Sequence, residues 1–373
     1  MNSKQKAVCS KQSRIAWIDL VEVIAIWLVV FYHCSMFGFT VVGEYAGVAE
    51  HIHYVLRVVS TLGVPLFFFV NGYLLFHKPF DFKKHLRRSF RFMILAVIWA
   101  MISILTYTLI TGGNLSPRAI LSSIWHLQAG SNHIWYLGAL VCVYIFFPLF
   151  KIVYDQNYRV FLYFTIISGI LTIGNNLLNI LATLAINILR GRTAPIEDVN
   201  FFWEFNPFRG IYGFAFFYFL LGGVIVKLLP RILKFASKRR NIIAASSLVG
   251  SMLCLALLGY GYSRLATETW DTVWMGYSTI FTLIGVLSVW VLSLNFQRPV
   301  RLITLLSRHT LGIYFLHILI IYALTTLAIS FAPGFIDFCS TFIGSLVYSI
   351  IILALSLGST LVVSKIPLLR HLV

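Results

Sequence analysis

Three ionisable side chains stand in the first apolar stretch of this chain, and their spacing brings them onto one line. Asp19, Glu22 and His33 lie within WIDLVEVIAIWLVVFYHC (17–34), a run otherwise suited to hydrocarbon. Asp19 and His33 are 14 residues apart. On an α-helix that is about 21 Å of rise, ending about 40° short of four full turns. Glu22 and His33 are 11 residues apart, about 20° past three turns. The three therefore share a stripe. An ionisable group at bilayer depth costs about 2.5–3.5 kcal/mol on insertion scales, so the stripe must face protein or water rather than lipid. Histidine, with a pKa near 6.5, is the side chain best suited to take up a proton at neutral pH. The acids are too far from His33 along the helix to form a catalytic dyad with it. Two readings follow from the residues alone. The stripe is functional, or Asp19 and Glu22 are interfacial acids balanced by Arg14 or by loop arginines, with His33 a hydrogen-bonded buried histidine.

Composition defines the elements that must position this stripe. Of 373 residues, 59% are hydrophobic and only 11% charged, with a mean hydropathy of +0.88. Soluble domains run about 45–50% apolar and about 25% charged, so the chain is a membrane protein. A span needs about 20 apolar residues because its backbone must satisfy its own hydrogen bonds. Ten stretches meet this: 15–37, 54–76, 91–111, 134–150, 160–182, 210–229, 241–261, 274–294, 310–330 and 341–363. The predicted architecture is an all-α bundle of about ten transmembrane helices, with both termini cytoplasmic. It divides into an N-terminal tail 1–14, a membrane domain 15–363 and a C-terminal tail 364–373. In the fifth stretch, Gly174, Asn175 and Asn176 interrupt a long apolar run, which admits a broken pair of helices.

Charge arbitrates. The chain carries 29 Lys and Arg against 12 Asp and Glu, a net charge of +17. With the N-terminus inside, 23 basic residues fall on the cytoplasmic side and six outside, the bias that the positive-inside rule describes. Splitting the fifth stretch into two spans would destroy this pattern. The sides then sum to +21 inside and −2 outside, with −2 in the first span. Basic residues confined to short loops beside the bilayer exclude a nucleic-acid binder. The first span resembles a signal peptide, but its length, its two acids and the lack of an A-x-A site make it an expected retained helix. The five cysteines show no ligand spacing, so no metal site and no disulfide framework is expected.

Several stretches, in order, resemble the acyltransferase-3 membrane proteins, which O-acylate sugars of bacterial surface polysaccharides and related molecules. The first span is similar to the family's opening motif, with Asp19, Ala25 and His33 at its intervals. GVPLFFFVNGYLL (63–75) resembles its PLFF…SGYL stretch, with Asn71 where Ser is commoner. HLRRSFRFMILAVIW (85–99) resembles its basic loop entering the third span. HIWYLGAL (133–140), FYFLLGGVI (217–225) and SRHTLGIYFLH (307–317) are similar to three further motifs. One position departs: the family usually has Arg three residues after the Asp, where this chain has Glu22. Either Arg14 or Arg91 replaces that cation, or the donor is used differently, or the chain is a degenerate relative.

The resemblance implies a multi-pass enzyme of the bacterial plasma membrane. It would move an acyl group, expected to be acetyl, from cytoplasmic acyl-CoA to a hydroxyl of a cell-surface glycan or its lipid-linked precursor. No permanently bound cofactor is implied; acyl-CoA is a substrate, and the partners are that donor, the glycan acceptor and membrane lipid. An alcohol is a poor nucleophile at neutral pH, so the transfer needs a base. His33 is the candidate, as base or as an acyl relay, with Asp19 and Glu22 on its stripe. Asn71, Tyr314 and His317 are candidates to fix its ring. Arg87, Arg88 and Arg91, with Arg14, offer guanidinium forks for the donor's phosphates, or serve topology and anionic lipid alone. Trp125, His126, Asn132, His133, Trp135 and Tyr136 are candidates to line the acceptor site, or belong to an interfacial aromatic belt. The alternative function is a carrier or flippase for a glycan or lipid-linked intermediate, since a polar stripe through a bundle also describes a transport path.

Overall fold

The computed structural model describes residues 14–34, 48–112, 116–118, 121–122, 132–190, 202–266, 271–367 and 369–373. Among them the chain is helical, and nine helices are long and apolar enough to cross a membrane. The helices are α1 (Ala16–Cys34), α2 (Val48–Val58), α3 (Gly63–His77), α4 (Phe82–Thr111), α5 (Trp135–Gln156), α6 (Tyr158–Gly169), α7 (Asn175–Arg190) and α8 (Ile211–Ile232). They continue as α9 (Ser237–Ala266), α10 (Thr272–Gly276), α11 (Ile280–Ser293), α12 (Arg301–Arg308), α13 (Thr310–Phe331), α14 (Pro333–Ser340) and α15 (Phe342–Lys365). A 3₁₀ turn, Val59–Leu62, joins α2 to α3.

The centre of the bundle is α1. It packs on α3, α11, α12, α13 and α15, and Val21, Ala25, Ile26 and Val30 are fully buried. The stripe predicted to face protein therefore does so. The most extensive helix pair is α3 with α8. It depends on Gly72 and Gly222: a Cβ on Gly72 would collide with the backbone of Phe219, and one on Gly222 with that of Phe69. Helices in lipid gain little from hydrophobic transfer, so close backbone approach through small residues supplies the packing.

Two spans differ from their predicted form, the third and the eighth, whereas the fifth is unsplit as expected. The helix α4 begins at Phe82 rather than near residue 91, so the basic segment read as a loop is helical. Asp81 caps it, its carboxylate accepting from the Lys84 amide at 3.0 Å. Its 30 residues run about 45 Å against a hydrocarbon core of about 30 Å, so its basic first turns stand outside the core.

The fifth stretch is one helical run, Tyr158–Leu189. At Ile170–Gly174 the chain takes a π turn instead of breaking. Asn175 is buried, and its Oδ1 accepts from the Phe202 amide at 3.1 Å. The eighth stretch is not a simple span. It divides into α10 and α11 because Thr279 caps a new helix, its Oγ1 accepting from the Thr282 amide at 3.2 Å. The 14 residues of α11 reach only about 21 Å, and the break leaves Tyr277 buried and Trp274 40% exposed.

Candidate functional site

The stripe on α1 leads to two polar clusters at opposite ends of the helix. At the N-terminal end, Arg14 grips Asp19 through Nε and Nη2, at 3.0 and 2.7 Å from Oδ1. Asp19 is 3% exposed, and the other contacts to it come from α12. Thr304 Oγ1 donates to Asp19 Oδ2 at 3.1 Å, and Arg14 Nη2 also donates to Ser307 Oγ at 2.7 Å. The Ser307 hydroxyl has one proton and two acceptors, 3.0 Å from Asp19 Oδ1 and 2.5 Å from Glu22 Oε2. The shorter distance assigns its proton to Glu22. The cation paired with Asp19 is Arg14, five residues before it.

Arg87, Arg88 and Arg91 are all exposed at the start of α4. Arg87 and Arg88 do not share a face. Adjacent helical positions diverge by about 100°, and it is Arg88 that lies against the bundle, 5.6 Å from the ring centres of Phe92 and Tyr144. It also acts electrostatically on Glu22. Arg91 Nη2 donates to the His371 carbonyl at 3.3 Å, joining α4 to the C-terminal residues.

At the other end of α1 lies a cavity of about 450 Å³. His33 and His133 both line it. Its walls are aromatic: Trp135, Tyr136 and Tyr314 from the predicted set, with Tyr32, Trp274 and Tyr277. Trp135 meets Trp274 edge-to-face at 5.1 Å, and Tyr136 meets Tyr314 at 5.4 Å. The Tyr314 hydroxyl donates to the His133 carbonyl, holding the 3₁₀ turn Asn132–Ile134 against α13. Burial beside His317 pushes the His133 imidazole, just outside α5, down to about 3.

His317 stands behind the cavity, fully buried, with its ring centre 5.3 Å from that of His33 and 5.9 Å from that of His133. Its Nδ1 lies 2.6 Å from the Tyr314 carbonyl and 3.2 Å from that of Ile313. Carbonyls only accept, so Nδ1 carries the proton and Nε2 presents a lone pair. Among the described residues, neither His317 Nε2 nor His133 Nε2 has a hydrogen-bond partner.

Of the three residues expected to fix His33, only His317 has a ring close to it. Tyr314 gives its hydroxyl to His133. Asn71 lies elsewhere, its Nδ2 donating to the Phe67 carbonyl at 2.9 Å and its Oδ1 accepting from the Tyr144 hydroxyl at 3.0 Å. Trp125, His126 and the side chain of Asn132 lie outside the described residues.

Sequence reasoning missed the support of the cavity wall. Asp271 Oδ1 accepts from the Val273 and Trp274 amides at 3.1 and 3.3 Å, capping α10. Its Oδ2 accepts from the Tyr32 hydroxyl at 2.8 Å. Arg57, 2% exposed, sits 3.9 Å from Asp271 Oδ1 and 4.7 Å over the Tyr32 ring. One carboxylate thereby positions two walls of the cavity. The signal was present as an Asp followed by a short apolar turn, the pattern of an N-cap, but it was hidden inside a stretch read as outer loop and span.

A family model described as acyltransferase domain matches residues 15–362, and the chain belongs to that acyltransferase-3 family. No curated protein and no solved structure gives a significant match.

Proposed function

We propose that this member of the acyltransferase-3 family is an O-acyltransferase acting across a bacterial plasma membrane, moving an acetyl group from cytoplasmic acyl-CoA to a hydroxyl of a surface glycan or its lipid-linked precursor. The observation that carries this reading is the cavity, in which His33 and His133 face a wall of tyrosines and tryptophans. Aromatic faces suit sugar rings, and a histidine at the same surface is placed to take a hydroxyl proton. The acceptor oxygen then bonds the acyl carbon, the carbon–sulfur bond of the thioester breaks, and the thiolate leaves. His33 holds the proton in transit. A general base of this kind contributes about 10²–10⁴-fold in rate.

The donor is assigned to the opposite end of α1. Arg88 reaches between Phe92 and Tyr144 towards Glu22, with Arg91 near it, and offers a guanidinium to phosphate oxygens. Arg14 is already engaged by Asp19 and contributes to this end by holding α1 against α12.

The test is His33→Ala at constant expression, with mass spectrometry of the host's surface glycans. Loss of an ester substituent at unchanged glycan quantity is the expected result. Loss of exported glycan with its esters intact would instead identify a carrier.

A further inference from the structure

We infer that His317 is a positioning and proton-accepting residue behind His33, so that the two histidines move protons as a pair. This rests on the acyltransferase reading and deepens it. With Nδ1–H bound to the carbonyls of Tyr314 and Ile313, His317 can take a new proton only at Nε2. That nitrogen is buried and has no hydrogen-bond partner among the described residues. An unpaired acceptor in so enclosed a place is a cost to folding that a merely structural histidine would not need.

The spacing suits a handover. Two imidazoles joined by a hydrogen bond of about 3 Å between facing ring nitrogens have their centres about 5 Å apart. The centres of His33 and His317 are 5.3 Å apart with the planes tilted by 49°, close to that separation, and the broad second side-chain torsion of His33 lets its ring turn. His33 is reached from the cavity, whereas His317 is fully buried and does not line it. His317 therefore acts through His33 and does not touch the acceptor.

The acceptor oxygen bonds the acyl carbon and the thioester carbon–sulfur bond breaks. The hydroxyl proton goes to one nitrogen of His33, and the proton on its other nitrogen passes to His317 Nε2. The charge left on His33 in a simple base mechanism is thus carried by the deeper ring. When the pair discharges, the two protons shift back, and the thiolate leaves as a thiol. No oxidant and no further reactant is needed.

The test uses the full-length protein in proteoliposomes with labelled acetyl-CoA and a glycan acceptor. His317→Gln places an amide near the Nε2 position, able to accept a hydrogen bond from His33 but not a proton. The expected result is a fall in kcat of about 100-fold at unchanged KM for the acceptor, with the variant's melting temperature unchanged. His317→Asn, which keeps a donor for the Tyr314 carbonyl, should show the same split. The wild-type protein gives an independent check. Single-turnover rates in mixtures of light and heavy water should bow downwards, as two protons in motion require. A linear dependence, or wild-type kcat in either variant, overturns the inference while leaving the acyltransferase reading intact. A wild-type protein that transfers no acetyl group overturns both.

Discussion

The two ends of α1 handle buried polarity in opposite ways. At the N-terminal end, Asp19 accepts from Arg14 and Thr304, and Glu22 accepts from Ser307. Its contacts are spent on one another, and they tie α1 to α12. At the far end, His133 and His317 each keep a ring nitrogen without a hydrogen-bond partner among the described residues; His133 lines a cavity and His317 lies behind it. A satisfied cluster holds helices together; an unsatisfied one beside a cavity is where chemistry is to be looked for. The departure at Glu22 falls in the satisfied cluster. There its carboxylate accepts from Ser307 of α12.

The sharpest way to break this contrast is at His33. His33→Ala should lower acyl transfer by about 10²–10⁴-fold without changing the melting temperature in detergent. Next in size is Arg14→Ala. It strands the buried Asp19 carboxylate, and removing one partner of a buried pair costs about 3–5 kcal/mol. Because Arg14 is 36% exposed, solvent screens part of the pairing and the expected loss is nearer 2–3 kcal/mol, roughly the lower bound for such pairs, read by thermal unfolding.

His133 gives a pH signature. Its pKa is depressed to about 3 in the folded protein against an unperturbed 6.5, so the stability it contributes is present above pH 6.5 and is lost as pH falls below it. Lowering the pH from about 7 to about 5 should cost the wild type about 2 kcal/mol more than His133→Gln, as followed by unfolding at each pH. The smallest effect belongs to Glu22→Gln, which retains an acceptor for Ser307. It should change stability by less than about 1 kcal/mol and leave acetyl transfer close to wild type in a reconstituted assay. A large loss of activity there would move the chemistry to the other end of the helix.

Much of this was legible in the residues. Apolar length and the distribution of basic charge gave the bundle, and helical periodicity put Asp19, Glu22 and His33 on one protein-facing line. The ordered motifs named Trp135, Tyr136, Tyr314 and His133 before their common cavity was visible. What hydropathy could not register was backbone chemistry at the breaks. The start of α4 depends on a cap at Asp81, the division of α10 from α11 on caps at Asp271 and Thr279, and the continuity through Ile170–Gly174 on a π turn. Long-range pairs were equally hidden. Arg14 with Ser307, and Tyr32 with Asp271, are separated by 293 and 239 residues, and only the packing of α1 at the centre joins them.

The most direct measurement is the rate of acetyl transfer from labelled acetyl-CoA in proteoliposomes, comparing His33→Ala with Glu22→Gln at matched amounts of folded protein. The prediction is loss of transfer in His33→Ala and near-normal transfer in Glu22→Gln. Near-normal transfer in His33→Ala, with loss in Glu22→Gln, would contradict the assignment of chemistry to the histidine end.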